Sequence, residues 1–350
     1  MNRSHSLGGS TLFLAAALIL SLYAVACGSE RGEGADPDGA APETTAVARG
    51  SGSGVPPSPP IECAMFPDDS YWHADVSQLP VHRDSDTFIG TIGTDTTLFA
   101  DFGAGLYEGS RIGIPYTVVG GDQPGVDVSF DVPDESDAGP YPIPEDAPIE
   151  GGPEFVEDGD RHVLVIERDS CTLYELFASE PRSDGTWNAF SGAVFDLGSN
   201  DLRPDTFTSA DAAGLPILPG LARYDEVAAG EIDHAIRFTV EATRDEYVWP
   251  ARHQAGEPGD DLPPMGLWLR LKADFDTSGY PEELQVILRA MQKHGLILAD
   301  NGSSMFISGT PDDRWDNDKL ALLREITADN FEAVDVSSLI TDPDSGRIRQ

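Results

Sequence analysis

The stretch DRHVLVIERDSCTLYELF, Asp160 to Phe177, shows most clearly how this chain folds. It contains two runs rich in Val, Ile, Leu, Tyr and Phe on either side of a polar turn, which is typical of two strands. If Asp169 and Ser170 occupy the turn, His162 lies opposite Phe177 across an antiparallel pair. The stretch therefore predicts a β-hairpin with a defined register.

This register places an imidazole and a carboxylate on one largely apolar face. Because side chains alternate along a strand, the following residues share that face: His162, Leu164, Ile166, Cys171, Leu173 and Glu175. His162 and Glu175 become diagonal neighbours within reach of each other. Ionisable groups in apolar surroundings have perturbed pKa values and are candidates for catalysis. The alternative is that the two side chains only satisfy each other's hydrogen-bonding groups.

Short strand-like runs continue along the chain, among them IGIPYTVV, VDVSF, GAVFDL, AIRFTV and LWLRLKA, and clusters of Gly, Pro, Asp and Ser separate them. Two helices are predicted late in the chain, one from Pro281 to Gly295 and one that Asp316 or Asp318 caps. Asn301-Gly302 between them predicts a hairpin turn. The predicted fold is mainly β (α+β), a β-sandwich or barrel-like body with two helices near the C-terminus.

The N-terminal residues predict an exported, lipid-anchored protein. Residues 1–26 form a signal peptide, because their apolar run is short for a bilayer span and ends in small residues. AVAC resembles the lipobox of bacterial lipoproteins, which implies a lipid on Cys27; plain secretory cleavage is the alternative. Gly28 after it is similar to the sorting pattern for an outer-membrane anchor. We therefore expect a lipid-anchored protein of the cell envelope, at the outer membrane if the cell has two.

The remaining chain divides into a tether and one domain. Residues 27–60 are rich in Gly, Pro, Ser and Ala, which cannot bury enough apolar area to fold, so they form a flexible tether. Residues 61–350 form a single β-rich globular domain. In an oxidising compartment Cys63 and Cys171 are expected to form a disulfide, with two buried free thiols as the alternative.

The charge excludes one class of partner. The chain has 61 acidic and 22 basic residues, a net charge of −39. Nucleic acids bind to clustered positive charge, so no nucleic-acid partner is expected. The same charge disfavours an anionic polymer as a substrate.

The sequence does not predict a metal or another cofactor. The segment from Asp274 resembles a calcium loop, but Gln285 stands where a bidentate glutamate is required. His162, His234 and His253 could converge on a transition metal only if three distant strands bring them together.

Single residues elsewhere could act on a ligand. Asp300, before the Asn-Gly turn, could be a general acid or base, or could only shape the turn. Trp249 and Trp315 offer flat faces for a sugar ring, although Trp315 could instead anchor the last helix. The candidate catalytic residues are His162, Glu175, His234, His253 and Asp300, and the candidate ligand-binding residues are Trp249, Arg252, Trp315 and Asp316.

Several segments carry a resemblance to other proteins. FPDDSYWHADVSQLPVH, HVLVIERDSCTLYELF, SADAAGLPILPGLARYDEV, YVWPARH and LADNGSSMFISG resemble a set of uncharacterised secreted bacterial proteins with no assigned activity. The resemblance covers nearly the whole domain from Phe66 onward. It implies an extracytoplasmic location and carries over no catalytic residue.

Two functional hypotheses follow. In the first, a surface lipoprotein binds extracellular polysaccharide and could cleave it, as a glycoside hydrolase or a polysaccharide lyase. Hydrolysis needs two carboxyl groups roughly 5–9 Å apart, for which Glu175 and Asp300 are candidates. In the second, the protein is a non-catalytic envelope-associated binding or structural lipoprotein. In that case the histidines are structural and the acidic residues are solvated.

Overall fold

The computed structural model describes residues 59–107, 109–153 and 159–349. The predicted signal peptide, Cys27 and almost all of the tether lie outside the described residues. All the described residues belong to one compact unit. The predicted mainly β fold is confirmed, because strands in several sheets dominate, one sheet curls into a half-barrel, and the helices are few. Within these ranges every helix is too short or too polar to cross a bilayer.

The largest sheet has six strands. In spatial order they are β1 (Phe99–Asp101), β14 (Phe306–Ser308), β11 (Ile236–Val240), β13 (Leu296–Asn301), β12 (Trp268–Leu271) and β15 (Phe331–Ala333). The pairs β1–β14 and β11–β13 are parallel, and the other pairs are antiparallel.

The prediction of a hairpin turn at Asn301-Gly302 is wrong. Strand β11 lies between β13 and β14, so the segment after Asn301 crosses over β11 instead of turning back beside β13. The amide of Gly302 donates to the carbonyl of Val240, and the amide of Met305 donates to the carbonyl of Thr239. The backbone after Asn301 therefore forms hydrogen bonds with β11, which is distant in sequence, rather than with β13.

The second sheet has four strands and contains the predicted hairpin. Its order is β10 (Ser191–Asp196), β7 (Thr172–Phe177), β6 (Val163–Glu167) and β4 (Tyr116–Val119). Leu164 lies opposite Glu175 and Ile166 opposite Leu173, which confirms the predicted register. Leu164, Ile166 and Leu173 pack in the main core, whereas Val163, Val165 and Leu176 pack in a second core on the other face.

The remaining elements are short. Two small sheets contain β2 (Leu106–Tyr107) with β3 (Ser110–Arg111), and β5 (Val128–Phe130), β9 (Trp187–Ala189) and β8 (Glu180–Pro181). The α-helices are α1 (Ser85–Ile92), α2 (Tyr224–Ala229), α3 (Glu282–Lys293) and α4 (Asn317–Leu320).

The two helices predicted near the C-terminus are present. Helix α3 buries one face, ends at Lys293, and is followed by Gly295 in a left-handed conformation that favours glycine. Helix α4 has a single turn and continues as a 3₁₀ helix, so it is shorter than a full amphipathic helix. The carboxylate of Asp316 accepts the amides of Asp318 and Lys319 and caps it, as predicted.

The predicted disulfide is confirmed. Cys63 and Cys171 are joined, with 5.6 Å between their Cα atoms and a separation of 108 positions in sequence. The bond attaches the start of the domain to the turn between β6 and β7. It therefore fixes the N-terminal segment against the second sheet.

Candidate functional site

One face of the six-stranded sheet carries polar side chains on adjacent strands. Asp101 on β1 pairs with Ser308 on β14. Ser308 lies beside Arg237 on β11, because the next pair along these strands is Phe238 with Ile307. Phe238 and Ile307 are buried in the main core. Since side chains alternate, Asp101, Ser308 and Arg237 share the opposite face.

A β-bulge adds Asp300 to this face. Phe238 pairs with Leu298, but the next residue, Thr239, pairs with Asp300 and leaves Ala299 as the extra residue. With regular pairing, Asp300 would point to the core side of the sheet. Bulges often re-aim a side chain next to an active site.

Arg237 lies at the centre of these groups. Its Nε and Nη2 donate to one oxygen of Asp211 at 3.2 and 3.0 Å, and its Nη1 donates to the Ser308 hydroxyl at 2.8 Å. Its Nη2 also lies 3.7 Å from Asp300 Oδ2. Asp211 and Arg237 are buried, so each charge is compensated by the other within the protein.

Asp300 and Asp101 are in contact with solvent. The Asp300 side chain is 25% exposed. Burial raises the pKa of Asp300 to about 7, and the negative charge of Asp211 adds to this effect while Arg237 opposes it. Although Asp101 is exposed, the surrounding protein raises its pKa, and the charge of Glu150 contributes. A carboxyl group that titrates near neutral pH and contacts solvent can transfer a proton to a substrate.

His162 forms an ion pair at the edge of this face. Its Nδ1 lies 2.5 Å from Glu150 Oε2, and its Nε2 lies 3.0 Å from the Ala210 carbonyl. Burial alone would lower the pKa of His162, but the ion pair with Glu150 raises it to about 9. The imidazole is therefore protonated at neutral pH, and both ring nitrogens donate.

Glu150 and His162 lie close to a third group, the carboxylate of Asp160. One potential ligand atom from each of these three residues lies within 4.8 Å of the others. A metal ligand must be a neutral imidazole, so a metal bound here would have to displace the proton that Glu150 stabilises on His162. We refer to Asp101, Glu150, Asp160, His162, Asp211, Arg237 and Asp300 as the Arg237 cluster.

Glu175 lies below the Arg237 cluster and is completely buried. Its carboxylate accepts the amide of Ile217 at 2.8 Å and the amide of Leu218 at 2.9 Å. Burial raises the pKa of Glu175 to about 7, and these two hydrogen bonds oppose the shift. Glu175 shares a strand face with His162 as predicted, but it holds the backbone of a 3₁₀ turn and has no surface that a substrate could contact.

A loop of residues 209–213 contacts several of the predicted catalytic residues. Its carbonyl groups bind His162 at 3.0 Å and His253 at 2.8 Å. Its last amide donates to the carbonyl of the residue before Asp300. The structure therefore brings His162, His253 and Asp300 around one loop, with Glu175 beneath it.

His234 lies apart from this group. Its ring is buried, and its two nitrogens lie 2.8 Å from the Ala235 carbonyl and 3.2 Å from a Glu226 oxygen. His162 and His253 have other partners, so the three histidines do not share a contact. In the calcium-like segment, Gln285 lies in α3 and donates to the Tyr280 carbonyl.

Arg252 and Trp249 bind the C-terminal segment. The buried guanidinium of Arg252 donates to the carbonyls of Arg203 and Pro343 and to the carboxylate of Asp344. The indole N–H of Trp249 donates to the Ser345 carbonyl, and its half-buried ring lines a cavity of about 400 Å³. Arg252 is therefore a structural link, whereas Trp249 keeps part of its ring accessible.

Trp315 is buried between aromatic rings. Its side chain is in contact with Phe102 and Tyr224, with centroid separations of 4.9 and 5.0 Å, and its indole N–H donates to Thr310. This environment fits the anchoring role better than a sugar platform, because neither face of the ring is open. Asp316, beside it, is occupied in capping α4.

Five residues of the Arg237 cluster were not identified from the sequence as functional, namely Asp101, Glu150, Asp160, Asp211 and Arg237. Of these residues, only Arg237 has a signal in the sequence. It is a charged residue in the apolar run AIRFTV, where it shares a face with Thr239. Asp101 is the last residue of a three-residue strand, and Asp211 lies in a loop, where acidic residues are common. Only the tertiary structure shows that they converge on one guanidinium.

No protein-family model matches the chain, and no curated protein or solved structure matches it. Its function therefore has to be inferred from the geometry of the Arg237 cluster.

Proposed function

We propose that the protein binds an extracellular polysaccharide and hydrolyses glycosidic bonds at the Arg237 cluster. The observation that carries this proposal is Asp300, a carboxyl group that contacts solvent and has a pKa of about 7. Such a group is protonated in a large fraction of molecules at neutral pH, which is what a general acid requires.

Asp160 is our candidate for the second carboxylate. It is exposed, its charge raises the pKa of both Asp101 and Asp300, and one of its carboxylate oxygens lies within 4.8 Å of ligand atoms of Glu150 and His162. In the proposed reaction Asp300 gives its proton to the glycosidic oxygen as the bond to the anomeric carbon breaks. Asp160 activates the water that adds to this carbon, or attacks it first in a two-step reaction.

Arg237 and Asp211 are positioning residues in this scheme. The Arg237 guanidinium, 3.7 Å from Asp300, stabilises the carboxylate that remains after proton transfer. Asp211 fixes the guanidinium through two hydrogen bonds to one of its oxygens. Neither residue needs to contact the substrate.

The proposed location is the cell envelope, through a lipid on Cys27, and the outer membrane if the cell has two. Residues 27–60 would then hold the domain away from the bilayer. The disulfide between Cys63 and Cys171 supports export, because such bonds persist in oxidising compartments.

The test is the release of reducing ends from a panel of polysaccharides by the full chain. We expect Asp300→Asn to lower turnover by about 100-fold or more, the contribution typical of a general acid. Asp95→Asn, on an exposed side chain, is the matched control and should leave turnover unchanged. If the wild-type protein cleaves no member of the panel, the hydrolytic proposal fails.

A second candidate is a non-catalytic binding or structural lipoprotein. It is favoured by the fact that His162 and Glu175 are fully engaged by protein groups. In this case glycans would bind without release of reducing ends. Wild type and Asp300→Asn would then have the same affinity and no turnover.

A further inference from the structure

The sheet face that carries Asp101 continues into a cavity of about 440 Å³. Phe99 precedes Asp101 by two residues on β1 and therefore lies on the same face. Its partner on β14 is Phe306, two residues before Ser308. The cavity is thus lined by aromatic residues and also by Asp101, a member of the Arg237 cluster.

Two aromatic rings form the floor of this cavity. Phe99 and Phe306 are stacked, with a centroid separation of 4.3 Å and an interplanar angle of 17°. The guanidinium of Arg324 lies 4.6 Å from the centroid of Phe99. Phe99 is therefore in contact with two groups, whereas Phe306 is half-buried and lines the cavity with its remaining surface.

The hairpin of β2 and β3 forms the rim. Tyr107 lines the cavity although its side chain is 70% exposed, and the neighbouring Leu106 is 57% exposed. They are two of the four large hydrophobic side chains found exposed in the part of the chain that the structure describes. Apolar side chains clustered at a cavity rim are typical of a binding site.

The base of the hairpin is held in place. The amide group of Asn317 accepts the Ala104 N–H at 2.8 Å and donates to the Ala104 carbonyl at 3.0 Å. Asn317 begins α4 and also lines the cavity. The segment that leads into the hairpin is therefore attached to α4 at Ala104, three residues before Tyr107.

We propose that this cavity is a subsite for an uncharged hexose ring of the polysaccharide, next to the bond that is cleaved at the Arg237 cluster. This inference rests on the proposed function. One face of a hexose ring presents C–H bonds, which pack against the exposed ring of Tyr107 and against the part of Phe306 that lines the cavity. Asn317 and Asp101 are within the same cavity and can bind its hydroxyl groups.

The charge of the site determines the class of sugar. Asp101 lines the cavity, the charge of Asp160 acts on both Asp101 and Asp300, and the whole chain has a net charge of −39. The one basic side chain lining the cavity, among the described residues, is Arg324, which is stacked on Phe99. A uronic acid would therefore be repelled, so the uncharged sugar is favoured.

The test is a titration of the full chain carrying Asp300→Asn, which prevents turnover during the measurement. The ligands are hexasaccharides of glucose, mannose and galactose, and of galacturonic acid as the charged comparison. We expect Tyr107→Ala and Phe306→Leu each to weaken the binding of a neutral hexasaccharide about tenfold. Tyr280→Ala is the control, because that half-buried ring contacts Phe275 and does not line this cavity.

The results of these experiments distinguish the subsite proposal from the proposal that the protein is a hydrolase. If a neutral hexasaccharide binds equally well to the two cavity variants, the subsite is elsewhere, while turnover by the wild-type protein would still support the hydrolase. Preferential binding of the galacturonic acid ligand would overturn the assignment to an uncharged sugar. If no ligand binds and the wild-type protein cleaves no polysaccharide, both proposals fall. Tyr107→Ala keeps the experiment interpretable, because so exposed a side chain contributes little to folding.

Discussion

Replacement of Glu175 by glutamine is expected to change how stability depends on pH. Glu175 is completely buried, and burial raises its pKa from 4.5 to about 7. The folded protein then binds this proton more tightly than the unfolded chain does. Its contribution to stability is fully present below about pH 4.5 and is lost as the pH rises through about 7. This pKa shift of Glu175 corresponds to a contribution of about 3 kcal/mol to the unfolding free energy.

Glutamine keeps the shape of the side chain but does not titrate. Between about pH 4.5 and pH 8, the unfolding free energy of wild type should therefore fall by about 3 kcal/mol relative to Glu175→Gln. Denaturant unfolding at several pH values, with the disulfide intact, measures this difference. Glu257→Gln, on an exposed side chain, is the control and should follow wild type.

Parallel pH curves for Glu175→Gln and wild type would refute the reasoning, because they would show that Glu175 has the same pKa in the folded and unfolded states. Turnover gives a second criterion. Since Glu175 has no exposed surface, the folded variant should still hydrolyse a substrate. Loss of turnover at full stability would return Glu175 to the catalytic candidates.

Three further variants test individual parts of the structure through denaturant unfolding. Replacing Cys63 and Cys171 together by serine should lower the unfolding free energy by about 4–5 kcal/mol, and reduced wild type should match the variant. Arg237→Met leaves Asp211 buried without its cation and should lower stability by about 3–5 kcal/mol; a loss under about 1 kcal/mol would contradict the buried pair. Trp315→Ala should lower stability by about 3–5 kcal/mol without changing glycan affinity, and unchanged stability with weaker glycan binding would instead support a sugar platform.

Local signals in the sequence were sufficient for part of the fold. The register of β6 and β7 follows from a short turn between two apolar runs, because hydrogen-bond pairing is then fixed by turn position. Helix α3 follows from a proline start, an apolar stripe and a glycine stop that agree with one another. In these cases the residues that determine the structure are close together in the chain.

The large sheet could not be derived in this way. Strand β11 is inserted between β13 and β14, which are neighbours in sequence, and its pairing with β13 is parallel. Parallel pairing between distant segments leaves no turn by which to recognise it. The bulge at Ala299 cannot be recognised from the sequence either, although it determines that Asp300 faces Arg237.

The candidate site was predicted only in part, because its residues also come from segments that are distant in the chain. His162, Glu175 and Asp300 were identified as ionisable residues beside strands or turns, and the structure places them in or under the Arg237 cluster. The sequence could not show that Glu150 would bind His162, or that Asp211 would bind Arg237. These partners determine the protonation states, so the chemical roles could not be assigned before the tertiary contacts were known.

The most direct test of the proposed hydrolytic role of Asp300 is the pH dependence of kcat/KM for release of reducing ends from a neutral polysaccharide. Because Asp300 must be protonated to act as the acid, kcat/KM of the wild-type protein should fall as the pH rises through about 7. Asp300→Asn should be slower by about 100-fold or more on the acidic side of this transition. Hydrolysis by Asp300→Asn at the wild-type rate, with the same pH profile, would contradict the account.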